Sequence, residues 1–212
     1  MGEKLSQEVV KDLLKNTKAC LMVIDMQNDY CSRKGGLGRQ GADLSMIEAM
    51  APRLANFLTE FRKRKALIIH TKNVHGDETN SPSLIRKNMH VLAKPGSWGG
   101  DWFEAYEEFK PRANEIVIAK NRFSSFEGTN LDLILRSNGV ETIIITGVTT
   151  EVCVESTIRA AFVKDYNVVI VKDCVASTSR EVHEASLKTL ENFFAFLATS
   201  DEVLKYIEGV DK

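Results

Sequence analysis

The 212-residue chain has no apolar run approaching the ~20 residues of a membrane-spanning helix, so no membrane association is expected. Cysteine is scarce. Its four thiols, Cys20, Cys31, Cys153 and Cys174, show neither CxxC nor Cys/His ligand spacing, which argues against a disulfide framework; reduced thiols in a cytoplasmic protein are expected. The four histidines, His70, His75, His90 and His183, lack HxxxH or HExxH spacing, so no metal is expected. An excess of one charge is also missing. The 28 basic and 29 acidic residues leave −1, which gives no electrostatic case for nucleic acid or an anionic membrane. A basic cluster, Arg62-Lys63-Arg64-Lys65, falls at the end of a helical pattern, where cations suit the C-terminus, and reads as a solvated face. "GGLG" at 35–38 lacks the GxGxxG pattern and does not open a helix straight off a strand, so neither a phosphate cradle nor a cofactor is expected. The N-terminal "MGEKLSQEVVKDLLKN" reads as an amphipathic segment, and a signal peptide is not expected from it.

What the sequence does contain is alternation. Short β-rich runs recur at 19–26, 66–73, 115–120, 142–148, 167–173 and 193–199, and four of them are near-continuous Ile/Val/Leu, as strands buried on both faces require. Between the first two, Met46, Met50, Leu54, Phe57, Leu58 and Phe61 recur at spacings of three and four, which predicts an amphipathic helix. Leu131, Leu133, Ile134 and Leu135 mark another, closed by Asn138-Gly139 as a left-handed cap. Val154, Ile158, Ala161 and Phe162 give a third, and Val182, Ala185, Leu187 and Leu190 a fourth. Strand–helix alternation predicts one α/β domain over 1–212: a doubly wound, mainly parallel six-stranded sheet with helices on both faces. The joint at about 74–114 is the exception. It holds three of the four prolines, both tryptophans and Gly96, Gly99 and Gly100, and reads as a lid or substrate loop in which Trp98, Trp102 and Phe103 pack.

In such sheets ligands bind beyond the carboxyl ends of the strands. Strand one ends in Asp25, strand three in Lys120, and strand four runs into the turn that carries Cys153. A carboxylate, an amine and a thiol are thus delivered to one rim. Free cysteines are most often small core hydrophobes. With Thr149 or Thr150 as N-cap, however, Cys153 falls in a first helical turn, where free N–H groups and the dipole favour a thiolate. Asp25 and Lys120 each follow an apolar run and need a partner if buried, so a purely structural ion pair between them is an open alternative. His70 reads as core. Cys20, Cys31 and Cys174 read as packing, with Cys31 partly exposed, and either Phe123 or Phe126 can wall a small pocket.

At these residues the sequence resembles the isochorismatase-like cysteine hydrolases. The matching pieces are "VIDMQNDYC" (23–31), "IAKNRFSSFEGTNLDLILRSNGVETIIITGVTTEVCVESTIRAAF" (118–162) and "VVIVKDCVAS" (168–177). The resemblance implies a catalytic triad of Asp25, Lys120 and Cys153. It also implies a cis peptide between Val148 and Thr149, and an oxyanion hole built from the Thr149 and Cys153 N–H groups. Asn28, Tyr30 and Phe126 are the substrate-binding positions it suggests. "IHTKNVHGDE" stands where zinc-type nicotinamidases carry "D-W-H", and isochorismatases proper commonly lack the cysteine. The branch implied is the ureidoacrylate, biuret and N-carbamoylsarcosine amidohydrolases, acting on a small molecule without metal or cofactor and assembling as homodimers or homotetramers. Vinyl-ether hydrolysis with Cys153 as a bystander, and a non-catalytic binding or thiol-sensing protein, are the competing expectations.

Overall fold

A computed structural model of the chain describes residues 2–64, 66–92 and 104–207. The expected packing of Trp98, Trp102 and Phe103 lies outside the described residues. The elements run α1 (Gly2–Asn16), β1 (Ala19–Ile24), α2 (Asn28–Cys31), α3 (Gly36–Arg39), α4 (Ser45–Lys63), β2 (Leu67–Asn73), α5 (Pro82–Leu92), β3 (Ile116–Lys120), α6 (Leu131–Ser137), β4 (Thr142–Val148), α7 (Glu155–Phe162), β5 (Asn167–Ala176), α8 (Arg180–Phe193), β6 (Phe196–Ala198) and α9 (Ser200–Tyr206). All six strands pair in parallel in the order β3-β2-β1-β4-β5-β6. The order reverses between β1 and β4, so the crevice at their carboxyl ends is where such a sheet offers a binding site.

Strand periodicity sorts the core. Leu21 and Val23 of β1 join the apolar cluster under α1, α4 and α9, while Cys20, Met22 and Ile24 join the one under α6, α7 and α8. Every residue of β4 is buried, as a central strand covered on both faces must be. The predicted helix around Met50, Leu54, Phe57 and Phe61 is α4, with all four buried. Gly139 takes the expected left-handed conformation after α6 (φ 64°). Not every apolar position at helical spacing faces inward, because Leu133, Phe162 and Val182 are exposed.

Several expectations are corrected. The joint after β2 is not a featureless loop. It contains α5 and a 3₁₀ turn at Glu107–Phe109, because Ser81-Pro82 starts a helix: the Ser81 hydroxyl accepts from the Leu84 N–H at 3.2 Å and Pro82 takes the first turn. The last strand is shorter than its apolar run, since Phe193 ends α8 instead. Residues 36–39 form one helical turn that, as expected, does not come straight off a strand: it follows α2, with the Gly36 N–H donated to Asp29 Oδ1 at 2.6 Å. The basic cluster is only partly solvated. Arg62 makes a bidentate pair with Glu115 at 2.7 and 2.9 Å, and Arg64 donates to the Leu204 and Ile207 carbonyls near α9. Glu115 also meets His70 Nε2 at 2.8 Å, so His70 is a paired core histidine.

Candidate active site

Three strand ends bring the site together. Asp25 directly follows β1 in a left-handed conformation (φ 50°), uncommon for a residue with a side chain. Thr71 of β2 holds it twice: the Asp25 N–H donates to Thr71 Oγ1 at 3.2 Å, and that hydroxyl donates to Asp25 Oδ1 at 2.6 Å. Lys120 ends β3, two strands away, and its long stem spans the gap to place Nζ 2.8 Å from Asp25 Oδ2. The same ammonium donates to Cys153 Sγ at 3.4 Å and to the Arg122 and Phe123 carbonyls at 3.1 Å each. Every donor direction of the amine is therefore used, and the 121–123 backbone folds around it.

Cys153 arrives from the third side. β4 passes Ile24 closely at Gly147 (φ 111°), where a Cβ would sit 2.0 Å from the Ile24 carbonyl oxygen, so only glycine fits. The Val148–Thr149 peptide is cis. The chain then enters a π-helical turn, Thr150–Val154, before α7 begins. Cys153 lies inside this wide turn rather than in the first turn of an α-helix, a feature that recurs at functional sites. The Thr149 carbonyl anchors the turn by accepting from the Val152 and Val154 N–H groups at 3.1 and 3.2 Å.

Burial overturns the expectation that the helix start lowers the thiol's pKa. Cys153 is 6% exposed; burial pushes its thiol up, the Asp25 charge adds to this, and Lys120 opposes both without prevailing. Burial would likewise push the Lys120 ammonium down, but the charges and hydrogen bonds of Asp25 and Cys153 more than reverse it, so Lys120 is held above its ordinary value. Burial thus favours the thiol form of Cys153, and its two partners favour the ammonium form of Lys120.

A polar ring that spacing does not reveal surrounds these groups. Gln27 exchanges hydrogen bonds with the Asn73 backbone (2.7 and 3.2 Å), and Asn73 Nδ2 donates to the Tyr30 hydroxyl at 3.0 Å. Burial, then the charges of Cys153 and Asp25, hold the Tyr30 phenol well above its usual range, so it stays neutral. His75 is buried with Nδ1 3.2 Å from Asn80 Oδ1; burial lowers its pKa, and it feels the charges of both Lys120 and Asp25. The Asn28 N–H donates to the Glu104 carbonyl, tying the far end of the 74–114 joint to the rim. Phe126 is buried in the same apolar cluster as Cys153, its ring 6.0 Å from Tyr166, whereas Phe123 is exposed. Cys31 is not partly exposed: it is buried against Met26, with Sγ 4.0 Å from the thioether. The described histidine side chains are dispersed, His70 on Glu115, His75 on Asn80 and His183 on Thr150; the side chain of His90 lies outside the described residues.

A parallel sheet in this order, with a carboxylate, an ammonium and a thiol meeting at its switch point, defines an isochorismatase-like α/β protein. The chain belongs to the isochorismatase family, whose domain model matches residues 19–202. It is 31% identical to the ureidoacrylate amidohydrolase RutB of Acinetobacter baylyi, covering 93% of this chain and 86% of that protein. Its identity to the RutB of Yersinia enterocolitica is 33%, over 85% of each chain. Among solved structures it is similar to an isochorismatase-like hydrolase from Alkaliphilus metalliredigens (28% identity, TM-score 0.75, 91% of this chain and 97% of that one). It is also similar to N-carbamoylsarcosine amidase from Thermoplasma acidophilum (26% identity, TM-score 0.68, 87% and 97%).

Proposed function

We propose that this protein is a cysteine-dependent hydrolase that cleaves a C–N bond of a small amide, carbamoyl or ureido compound through a thioester. The observation that carries this reading is Lys120 Nζ standing between Asp25 Oδ2 (2.8 Å) and Cys153 Sγ (3.4 Å) in a buried cluster. A lysine that served only to staple β3 to β1 has no need of the thiol. The similarity to proteins named ureidoacrylate amidohydrolase and N-carbamoylsarcosine amidase supports the choice of bond.

The protonation states set the order of events. With burial favouring the thiol over the thiolate, attack is coupled to proton transfer: Asp25 takes the Sγ proton as sulfur bonds to the carbonyl carbon. Lys120, charged throughout, compensates the negative charge on whichever of the two holds it. The oxyanion forms between the Thr149 and Cys153 N–H groups, fixed donors in a site largely closed to water. Asp25 then returns the proton to the leaving nitrogen, the C–N bond breaks, and ammonia or an amine departs from the thioester. Water gives a proton to Asp25 and attacks the thioester; the C–S bond breaks and the proton goes back to sulfur. Asn28, Tyr30 and Phe126 are assigned to substrate binding, Tyr30 through its neutral hydroxyl and Phe126 as an apolar wall. Exposed Phe162, Val163 and Phe193 supply apolar surface for a homodimer or homotetramer, and the cytoplasm suits four reduced thiols.

The test is ammonia release from a panel of ureido acids and primary amides that includes ureidoacrylate. Wild-type turnover of at least one member, lost in Cys153→Ala, supports the reading. Wild-type rates in Cys153→Ala on every compound turned over would refute it.

A further inference from the structure

Two helices reach the nucleophile's turn by side-chain contacts: the Thr157 hydroxyl of α7 donates to the Cys153 carbonyl at 2.7 Å, and α8 makes the second contact. Thr150 opens the π-helical turn directly after the cis peptide, is wholly buried, and places Oγ1 2.8 Å from His183 Nδ1 of α8. The turn does not cap itself: among the described residues, Thr149 makes no side-chain capping bond. One helical turn further along α8, Ser186 Oγ donates to Glu155 Oε2 at 2.5 Å, where the π turn passes into α7. His183 and Ser186 are three residues apart and share a helix face. Two bonds from one face of α8 thus bracket Cys153 in sequence, one before it and one after.

We infer that His183 is a positioning residue: by holding the Thr150 hydroxyl, its Nδ1 sets the Gly147–Thr150 turn and with it the Cys153 sulfur and the Thr149 N–H. This rests on Cys153 being the nucleophile, as proposed above. The contact is suited to the task because Thr150 is adjacent to one of the two oxyanion donors and three residues from the sulfur. A small tilt of that turn moves both relative to a bound carbonyl. Burial lowers the His183 pKa, assisted by Arg180 and against the pull of Glu151 and Glu184, so the ring is uncharged at neutral pH. The bond then forms in either tautomer, with Nδ1 as acceptor or as N–H donor. An asparagine at 183, whose amide group falls near the Nδ1 position, can make either bond; a leucine can make neither.

Three variants test this: His183→Leu, His183→Asn and the double variant His183→Leu/Thr150→Val. Each is measured for kcat and KM on the panel compound with the highest turnover, for the rate at which iodoacetamide alkylates Cys153 (read by peptide mass), and for Tm. His183→Leu is expected to lower kcat about 10- to 100-fold with KM within about twofold, the scale of loss from misplacing reacting groups. Its alkylation rate is expected to fall as well. His183→Asn restores both, and the double variant is no worse than His183→Leu alone, because both remove the same contact. The inference is overturned if His183→Leu keeps wild-type kcat and alkylation while Cys153→Ala is inactive, an outcome that leaves the nucleophile assignment standing. It is also overturned if His183→Asn fails to restore kcat while restoring Tm, or if the losses in the double variant add. Full activity in Cys153→Ala would instead overturn the reading on which it rests.

Discussion

Lys120 Nζ lies 2.8 Å from Asp25 Oδ2, and neither side chain exposes any surface. A buried ion pair of this kind adds little net stability, but removing one partner strands the other's charge. Lys120→Met is therefore expected to lose about 3–5 kcal/mol in urea unfolding. Adding Asp25→Asn to it recovers a large part of that loss, since the two sites share one contact. An unchanged urea midpoint for Lys120→Met would show that the pair is not buried as described.

Thr71 separates stability from chemistry differently. Its hydroxyl both accepts from the Asp25 N–H and donates to the Asp25 carboxylate. Thr71→Val keeps the volume and deletes both bonds, at an expected cost of about 1.5–3 kcal/mol for a bond to a charged group. Turnover falls as well, because Asp25 loses the contact that aims Oδ1. Equal activity and stability in the variant would contradict this.

Gly147 tolerates no side chain. A Cβ there meets the Ile24 carbonyl at 2.0 Å in a backbone conformation that L-residues avoid. Gly147→Ala is expected to destabilise by more than about 1 kcal/mol and to displace the turn carrying Cys153, lowering turnover beyond the stability loss. Gly41→Ala, at a positive φ with open space around it, carries only the backbone penalty and leaves turnover intact.

One contribution to acid stability comes from a carboxylate outside the reacting cluster. Arg62, the Arg112 N–H and His70 hold Glu115 down to about 2 despite its burial, against an ordinary value of 4.5. A carboxyl depressed in the folded state stabilises fully above its unfolded pKa, and that stability fades as pH falls from about 4.5 to about 2. The amount at stake is on the order of 3 kcal/mol. His70, lowered by burial, acts in the same sense from higher pH, since the unfolded chain takes up its proton first as pH drops through about 6.5. Glu115→Gln should flatten the decline between pH 4.5 and 2 in a series of urea titrations. A decline as steep as wild type would assign acid lability elsewhere.

The sheet was readable because parallel strands buried on both faces leave continuous Ile/Val/Leu runs, and the residues terminating those runs had nowhere to go but the rim. That is why Asp25, Lys120 and Cys153 stood out. Residues that act by pairing with distant elements left no such trace: Thr71 and Asn73 sit in the polar tail of β2 and His75 just beyond it, and only Asp25, Gln27, Tyr30 and Asn80 reveal what they hold. Arg62 looked solvated because Glu115, its partner, lies 53 residues away. The direction of the Cys153 shift was misread for a related reason. A helix start can be read locally, but the tertiary cover that keeps water from the sulfur cannot. His183 was invisible for the same cause, since nothing in its spacing announces Thr150.

The most direct test of the account is intact-protein mass spectrometry after acid quench of the enzyme turning over its best panel substrate. A covalent acyl or carbamoyl adduct is predicted, mapped to the peptide containing Cys153 and absent in Cys153→Ala. Turnover with no adduct at any quench time, together with undiminished activity in Cys153→Ala, would contradict a cysteine nucleophile.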